Sequence, residues 1–222
     1  MSYHPEKQML QAYVEGSLDD VAAFTVAIHL ESCPECKRRV AILEQACGDR
    51  LAADPVLESS DEDLSAMLEA IVSMEQNSEP FRVPPQPQQI MVNGKAFLLP
   101  RALSRHMGKI GQWRSYGGKV FSASVDIAQE CRVNLMYIAE NVQIPQHTHK
   151  GTESTLILHG GFSDEDGHYE AGDFLVKDAS VKHSPSTGVG EDCLCLTVLT
   201  EPMVFTQGVA RLFNRFGKGM YP

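Results

Sequence analysis

Four prolines fall between Glu79 and Gln89, in EPFRVPPQPQQ, and the hydrophobic period of the chain differs on either side of them. Each proline removes a backbone donor and biases the residue before it toward extended conformations, so neither a regular helix nor a central strand crosses this stretch. A chain so interrupted is expected to fold as two units joined by an extended linker.

Before the prolines the apolar spacing is helical. Leu10, Tyr13 and Val14 form a short stripe that stops at Gly16, a residue suited to the left-handed conformation just past a helix end. Asp19 and Asp20 offer N-cap oxygens to a second helix carrying Val21, Phe24, Ala27 and Ile28 on one side. A third helix is expected from Pro34 toward Leu51. Ser60 with Asp63 resembles a capping box, and Leu64, Met67, Leu68, Ile71 and Val72 follow at helical spacing. That last stripe reads equally well as domain core or as a partner-binding face.

After the prolines the runs are short and apolar or alternating: VFSASVDI, CRVNLMYIAE, STLILHGGF, GDFLVKD and DCLCLTVLTEP, separated by Gly, Asp and Asn turns. Strand runs that follow helix runs indicate separate domains. The expected fold class is a two-domain α + β protein: a small helical domain at residues 1–78, a proline-rich linker at 79–94, and a β-barrel or jelly roll at 95–222.

Charge divides along the same line. Residues 1–78 carry 15 of the 29 Asp and Glu residues but only 5 of the 19 Lys and Arg, so the whole net charge of −10 sits there. A general nucleic-acid binder needs clustered Lys and Arg to displace counterions, which this chain lacks. The start, MSYHPEKQML, has no basic segment followed by an apolar one. The longest apolar stretch, VAAFTVAIHL, is far shorter than the roughly 20 residues a membrane helix needs. A cytoplasmic location is expected.

His29, Cys33 and Cys36 form H-x-x-x-C-x-x-C. Residues four apart share a helix face and Cys36 returns to it, so two thiolates and an imidazole converge as three-quarters of a tetrahedral zinc site. His4 is the only other histidine of the helical region and can close it. A dithiol redox pair is the alternative, but no βαβ pattern surrounds the cysteines as a thioredoxin-like site requires. HPEKQMLQAYVEGSL followed by VAIHLESCPEC resembles the zinc-binding anti-sigma domain of bacteria. That resemblance implies a Zn2+ ion on His4, His29, Cys33 and Cys36, in a module that occludes an extracytoplasmic-function sigma factor.

In the second region PQHTHKGTESTLILHGG places His147 and His149 two apart, on one face of a strand, with Glu153 following; GDFLVKDASVKH ends at His183. Three histidines and a glutamate at these spacings resemble the two cupin motifs. The departures lie at turns: Asn141 where the first motif leads with glycine, and Asp178, Ser180 and Thr187 at usual Pro, Gly and Asn positions. Imidazole and carboxylate together suit zinc, manganese, iron or nickel without selecting among them, and zinc is the expected ion.

An anti-sigma zinc domain joined to a cupin resembles the ChrR family of anti-sigma factors. The resemblance implies sequestration of an ECF-type sigma factor, its release under singlet oxygen or related oxidative stress, and a metal-dependent cupin sensor receiving a small-molecule or oxidant signal. No catalytic residue is expected. The rival reading is a cupin metalloenzyme, a dioxygenase or hydrolase, whose N-terminal zinc domain merely docks it. Among the remaining residues, Cys193 and Cys195 read as core filling, with a sensing thiol as the alternative; Cys47 and Cys131 read as packing. His159 shares the parity of Glu153 and can face the cavity, equally as a ligand or as a hydrogen-bonding partner of one; His106 and His168 read as solvated; Trp113 with Arg114 can line the barrel mouth, although a lone Trp is more often core.

Overall fold

The computed structural model describes residues 2–53, 61–75, 86–212 and 214. Helix α1 (Lys7–Val14) ends where Gly16 takes φ of +67°. Asp19 Oδ1 then accepts from the amides of Val21 and Ala22 at 3.2 and 2.9 Å and caps α2 (Asp20–Ser32). Cys33 is extended, at φ −100° and ψ 101°, and Pro34 restarts the chain as α3 (Pro34–Ala53). This one-residue break turns the two cysteines toward α1. Helix α4 (Asp61–Ser73) follows; Ser60, half of the expected capping box, lies outside the described residues.

Helix α2 is buried on more than the one side its sequence stripe indicates. Val26 packs with Leu10, Cys33, Cys36 and Val40 of the helical part, while Val21 and Ile28 enter a larger core with Leu99, Leu103, Leu135 and Leu156 of the β part. The two regions therefore share an apolar core through α2. In α4, by contrast, Leu64, Met67, Leu68, Ile71 and Val72 are all exposed. The stripe is not a core of the described residues.

The β part begins with β1 (Gln89–Val92) and β2 (Lys95–Leu98), a hairpin whose Asn93-Gly94 turn has both φ angles positive, as a type I′ turn requires. A single helical turn, α5 (Arg101–Ser104), precedes β3 (Arg114–Tyr116), β4 (Val120–Ser124) and β5 (Arg132–Ile138). Then come β6 (His147–His149), β7 (Glu153–Asp164), β8 (Gly167–Glu170), β9 (Phe174–Lys177), β10 (Cys193–Leu199) and β11 (Met203–Phe205). The main sheet is antiparallel with order β3-β4-β5-β10-β7-β8, and β9 pairs the first half of β7. Strand β10 lies between β5 and β7 with all seven residues buried, which explains its continuous apolar run.

Among the described residues this path does not close, so the fold is an open cupin-like antiparallel sheet and not the closed barrel the sequence suggests. Among the described strands β6 and β11 form a separate two-stranded pair, and each follows a proline, Pro145 or Pro202, that has no N–H to extend a ladder. Two backbone bonds of 3.1 Å between His147 and His183 carry the third histidine to β6. Asn141 adopts φ of +54°, a conformation asparagine tolerates, so it serves where the cupin motif uses glycine.

Two candidate metal centres

In the helical part the break between α2 and α3 brings four donors together. His4 Nδ1 lies 3.4 Å from Cys33 Sγ and 3.5 Å from Cys36 Sγ, and all four donors of His4, His29, Cys33 and Cys36 lie within 4.8 Å of one another. A tetrahedral ion with Zn–S near 2.3 Å and Zn–N near 2.0 Å has S···N edges of about 3.5 Å. His29 donates from Nδ1 to the carbonyl of Gly172 at 2.9 Å, leaving Nε2 deprotonated, buried and without a hydrogen-bond partner. An orphaned buried nitrogen beside two thiols fits a cation at the centre of the cluster. Burial, followed by the neighbouring Cys33, pushes the Cys36 thiol well above its ordinary value, so a buried thiolate here needs a cation.

In the β part, β6 supplies His147 and His149 on one face, the start of β7 supplies Glu153, and the loop before β10 supplies His183. All four are buried. His149 Nε2 lies 3.0 Å from Glu153 Oε2 and 3.4 Å from His183 Nε2, and His183 Nε2 lies 3.8 Å from the same carboxylate oxygen. His147 donates from Nδ1 to the Pro145 carbonyl at 2.9 Å, and His183 from Nδ1 to Asp164 at 3.1 Å. Both Nε2 lone pairs are thereby freed for a shared ion. Burial, then the charge of His183, lowers the His147 pKa to about 4, so this imidazole is neutral at physiological pH, the form in which a histidine can ligate a metal. Burial raises the Glu153 pKa, but its hydrogen bond to His149 and the surrounding imidazoles outweigh this and hold the carboxyl below its ordinary value. These edges fit a divalent ion without choosing its geometry.

A cavity of about 40 Å³ adjoins the second cluster, lined by His147, Glu153, His183, Met136, Cys195 and Met203 among others. It has room for about one water molecule. An apolar pocket of about 320 Å³ lies on the far side of Met136, Ile144 and Met203.

The other expected residues divide. Cys193 and Cys195 are buried in the core; the side chain of Cys195, then burial, raises the Cys193 thiol well above its ordinary value, which argues against a reactive thiol there. His159 is exposed and faces Asp192 and Phe97, not the cavity. The register explains this: Leu194 pairs His159 but Cys195 pairs Ile157, so Leu158 is an extra residue and parity inverts beyond it. His106 is half-buried, where full solvation was expected; it meets Phe24 edge-on at 5.1 Å, with its pKa lowered by burial. His168 is exposed as expected. Cys47 is only half-buried, against Arg50, and so is not core packing. Trp113 packs partly buried against the main core. Asp164, the buried partner of His183, carries no motif and was not expected as a functional residue; no local sequence pattern distinguishes it from a turn aspartate.

The arrangement is that of a zinc-finger module built onto a cupin-like domain. Family models match in the same order: a zinc-finger family at residues 7–37, and the ChrR cupin-like domain at residues 119–202. Among curated proteins the anti-sigma-E factor ChrR of Cereibacter sphaeroides is 28% identical over 217 residues, covering 96% of this chain and 97% of that protein. The crystal structure of Rhodobacter sphaeroides SigE in complex with the anti-sigma ChrR is similar with a TM-score of 0.67 and 27% identity. That match covers 89% of this chain and 98% of the matched chain. Over nearly its whole length the chain is similar to ChrR anti-sigma factors, and its second half matches the ChrR cupin-like domain.

Proposed function

We propose that this protein is an anti-sigma factor: its helical part masks an extracytoplasmic-function sigma factor, and its cupin-like part releases it in response to singlet oxygen or related oxidants. The observation that carries this reading is the match to ChrR in its complex with SigE, spanning nearly all of both chains, on a structure that keeps both donor clusters intact. His4, His29, Cys33 and Cys36 hold zinc. His147, His149, Glu153 and His183 hold a divalent ion, zinc being the first expectation. The protein acts in the cytoplasm, where its partner meets RNA polymerase.

Each part has a physical role in this reading. The zinc ion fixes α1 to the α2–α3 junction, which so small a helical core cannot hold by packing alone. Helix α4 offers an apolar face, with Leu68 61% and Ile71 58% exposed, that a partner can cover. The acidic first third suits a basic DNA-handling partner, because complementary fields speed association and disfavour wrong partners. In the cupin-like part an ion would supply Lewis acidity and a coordination position for a small oxygen species. The small cavity beside it has room for such a species.

The test uses the full chain co-expressed with a candidate sigma factor. A stable complex that represses transcription, loosened about 30-fold or more by Leu68→Asp with Ile71→Asp, and dissociated by photosensitised singlet oxygen, is the expected result. Failure to bind any such factor sinks the anti-sigma reading. Steady consumption of oxygen with conversion of an organic substrate would replace it with the metalloenzyme.

A further inference from the structure

The segment that runs from Asp164 at the end of β7 through β8 and β9 touches both donor clusters. On the cupin side Asp164 has a fully buried side chain. Its Oδ2 accepts from His183 Nδ1 at 3.1 Å and lies 2.9 Å from Lys177 Nζ, while its Oδ1 accepts from the Tyr169 hydroxyl at 3.0 Å. A carboxylate only accepts, so the His183 proton stays on Nδ1 and Nε2 points into the cluster.

The opposite side of the same hairpin holds the helical cluster. Tyr169 meets Tyr3 edge-on at 4.8 Å. Asp173, 1% exposed, accepts from the amides of Ser2 and Tyr3 at 2.6 and 3.0 Å through Oδ1, and from the Glu170 amide through Oδ2. The amide of Phe174 donates to the Tyr3 carbonyl at 3.0 Å. His4, the next residue along the chain, is thus aimed by a segment clamped to the hairpin. Gly172 gives its carbonyl to His29, and the Phe174 ring lies 5.9 Å from the His29 ring.

We propose that this hairpin is the shared positioning element of the two clusters, Asp164 and Tyr169 orienting His183 while Gly172 and Asp173 orient His29 and His4, so that occupancy of one cluster sets metal retention at the other. The inference rests on the reading that both clusters bind metal. Tyr169 is the pivot: its hydroxyl holds Asp164 and its ring holds Tyr3. Without an ion in the cupin cluster the His183 imidazole lacks a metal bond at Nε2, and Asp164, Tyr169 and Tyr3 lose part of the constraint that reaches His4. Coupling of this kind is reciprocal, so zinc at the helical cluster equally steadies the cupin ligands.

The experiment measures transfer of zinc from the helical cluster of the full-length protein to a chromophoric chelator, with the cupin cluster either empty or loaded with Mn2+, an ion thiolates bind poorly. In the wild type, loading is expected to slow transfer at least about fivefold. In Tyr169→Phe, which keeps the ring but removes the hydroxyl, and in Asp164→Asn, loading is expected to have little effect. Asp164→Asn should also weaken Mn2+ binding about 10-fold or more. Far-ultraviolet circular dichroism and a Co2+-thiolate absorption band show that the fold and helical cluster persist in each variant. Zinc transfer in the wild type that ignores Mn2+ loading would overturn the coupling while leaving both metal sites standing. Persistence of the full loading effect in Tyr169→Phe and Asp164→Asn would overturn the assigned path. A wild-type chain that binds no metal at either cluster would remove the metal reading, and the coupling with it.

Discussion

Zinc binding at the helical cluster is expected to depend steeply on pH, because the ion has to displace protons from buried thiols. Cys36 is fully buried and its thiol is pushed well above an ordinary value of 9.0 by burial and by Cys33. At pH 7 removing its proton therefore costs more than two pKa units, at least about 3 kcal/mol at 1.36 kcal/mol per unit. That cost is set against the roughly 10–16 kcal/mol that structural zinc ions supply in small modules, so binding survives it but registers it. Each thiol that is protonated in the free cluster and ionised in the complex adds a factor of ten in apparent affinity per pH unit. His29, whose pKa is lowered by burial, binds as the neutral ring and adds no such factor. Chelator competition on the full chain between pH 6.5 and 7.5 should give a slope of log affinity against pH between one and two. The Cys36→Ala variant should lose one unit of that slope along with most of the affinity. A wild-type slope near zero would refute the reasoning, since it would mean that Cys36 is already ionised without a cation or is not a ligand.

Two further outcomes test the rest of the molecule. Ile28, 2% exposed where α2 enters the β core, should cost about 2–5 kcal/mol as Ile28→Ala in urea unfolding, and a loss under 1 kcal/mol would show that the two regions do not share a core. In metal-free protein His147 should contribute stability above pH 6.5 that is lost as the pH falls toward about 4, because the folded state resists the proton that the unfolded chain accepts. The drop is on the order of 3 kcal/mol; it should vanish in His147→Phe, and an unchanged pH profile in that variant would remove His147 as its source.

Much of this molecule is visible in local pattern. The stop at Gly16, the Asp19 cap, the restart at Pro34 and the H-x-x-x-C-x-x-C spacing depend on neighbours within a few residues, where backbone geometry and short-range hydrogen bonding rule. The cupin donor set was legible for the same reason, since His147, His149 and Glu153 lie on successive strands and only His183 is remote. Parity failed where one residue, Leu158, bulges out of register, because period two has no memory across an insertion. It put His159 in the cavity, and the fold put it at the surface.

Sequence alone determined the helices, the candidate donors and the division of charge, because these follow from the chain's own spacing and composition. Tertiary structure alone decided that α2 is buried on two sides, that among the described residues α4 is left bare and the sheet stays open, and that Asp164 stands behind His183. It also placed Gly172 against His29 across 143 positions of chain. Contacts of that span are chosen by how whole layers pack, and no window of residues contains the information that fixes them.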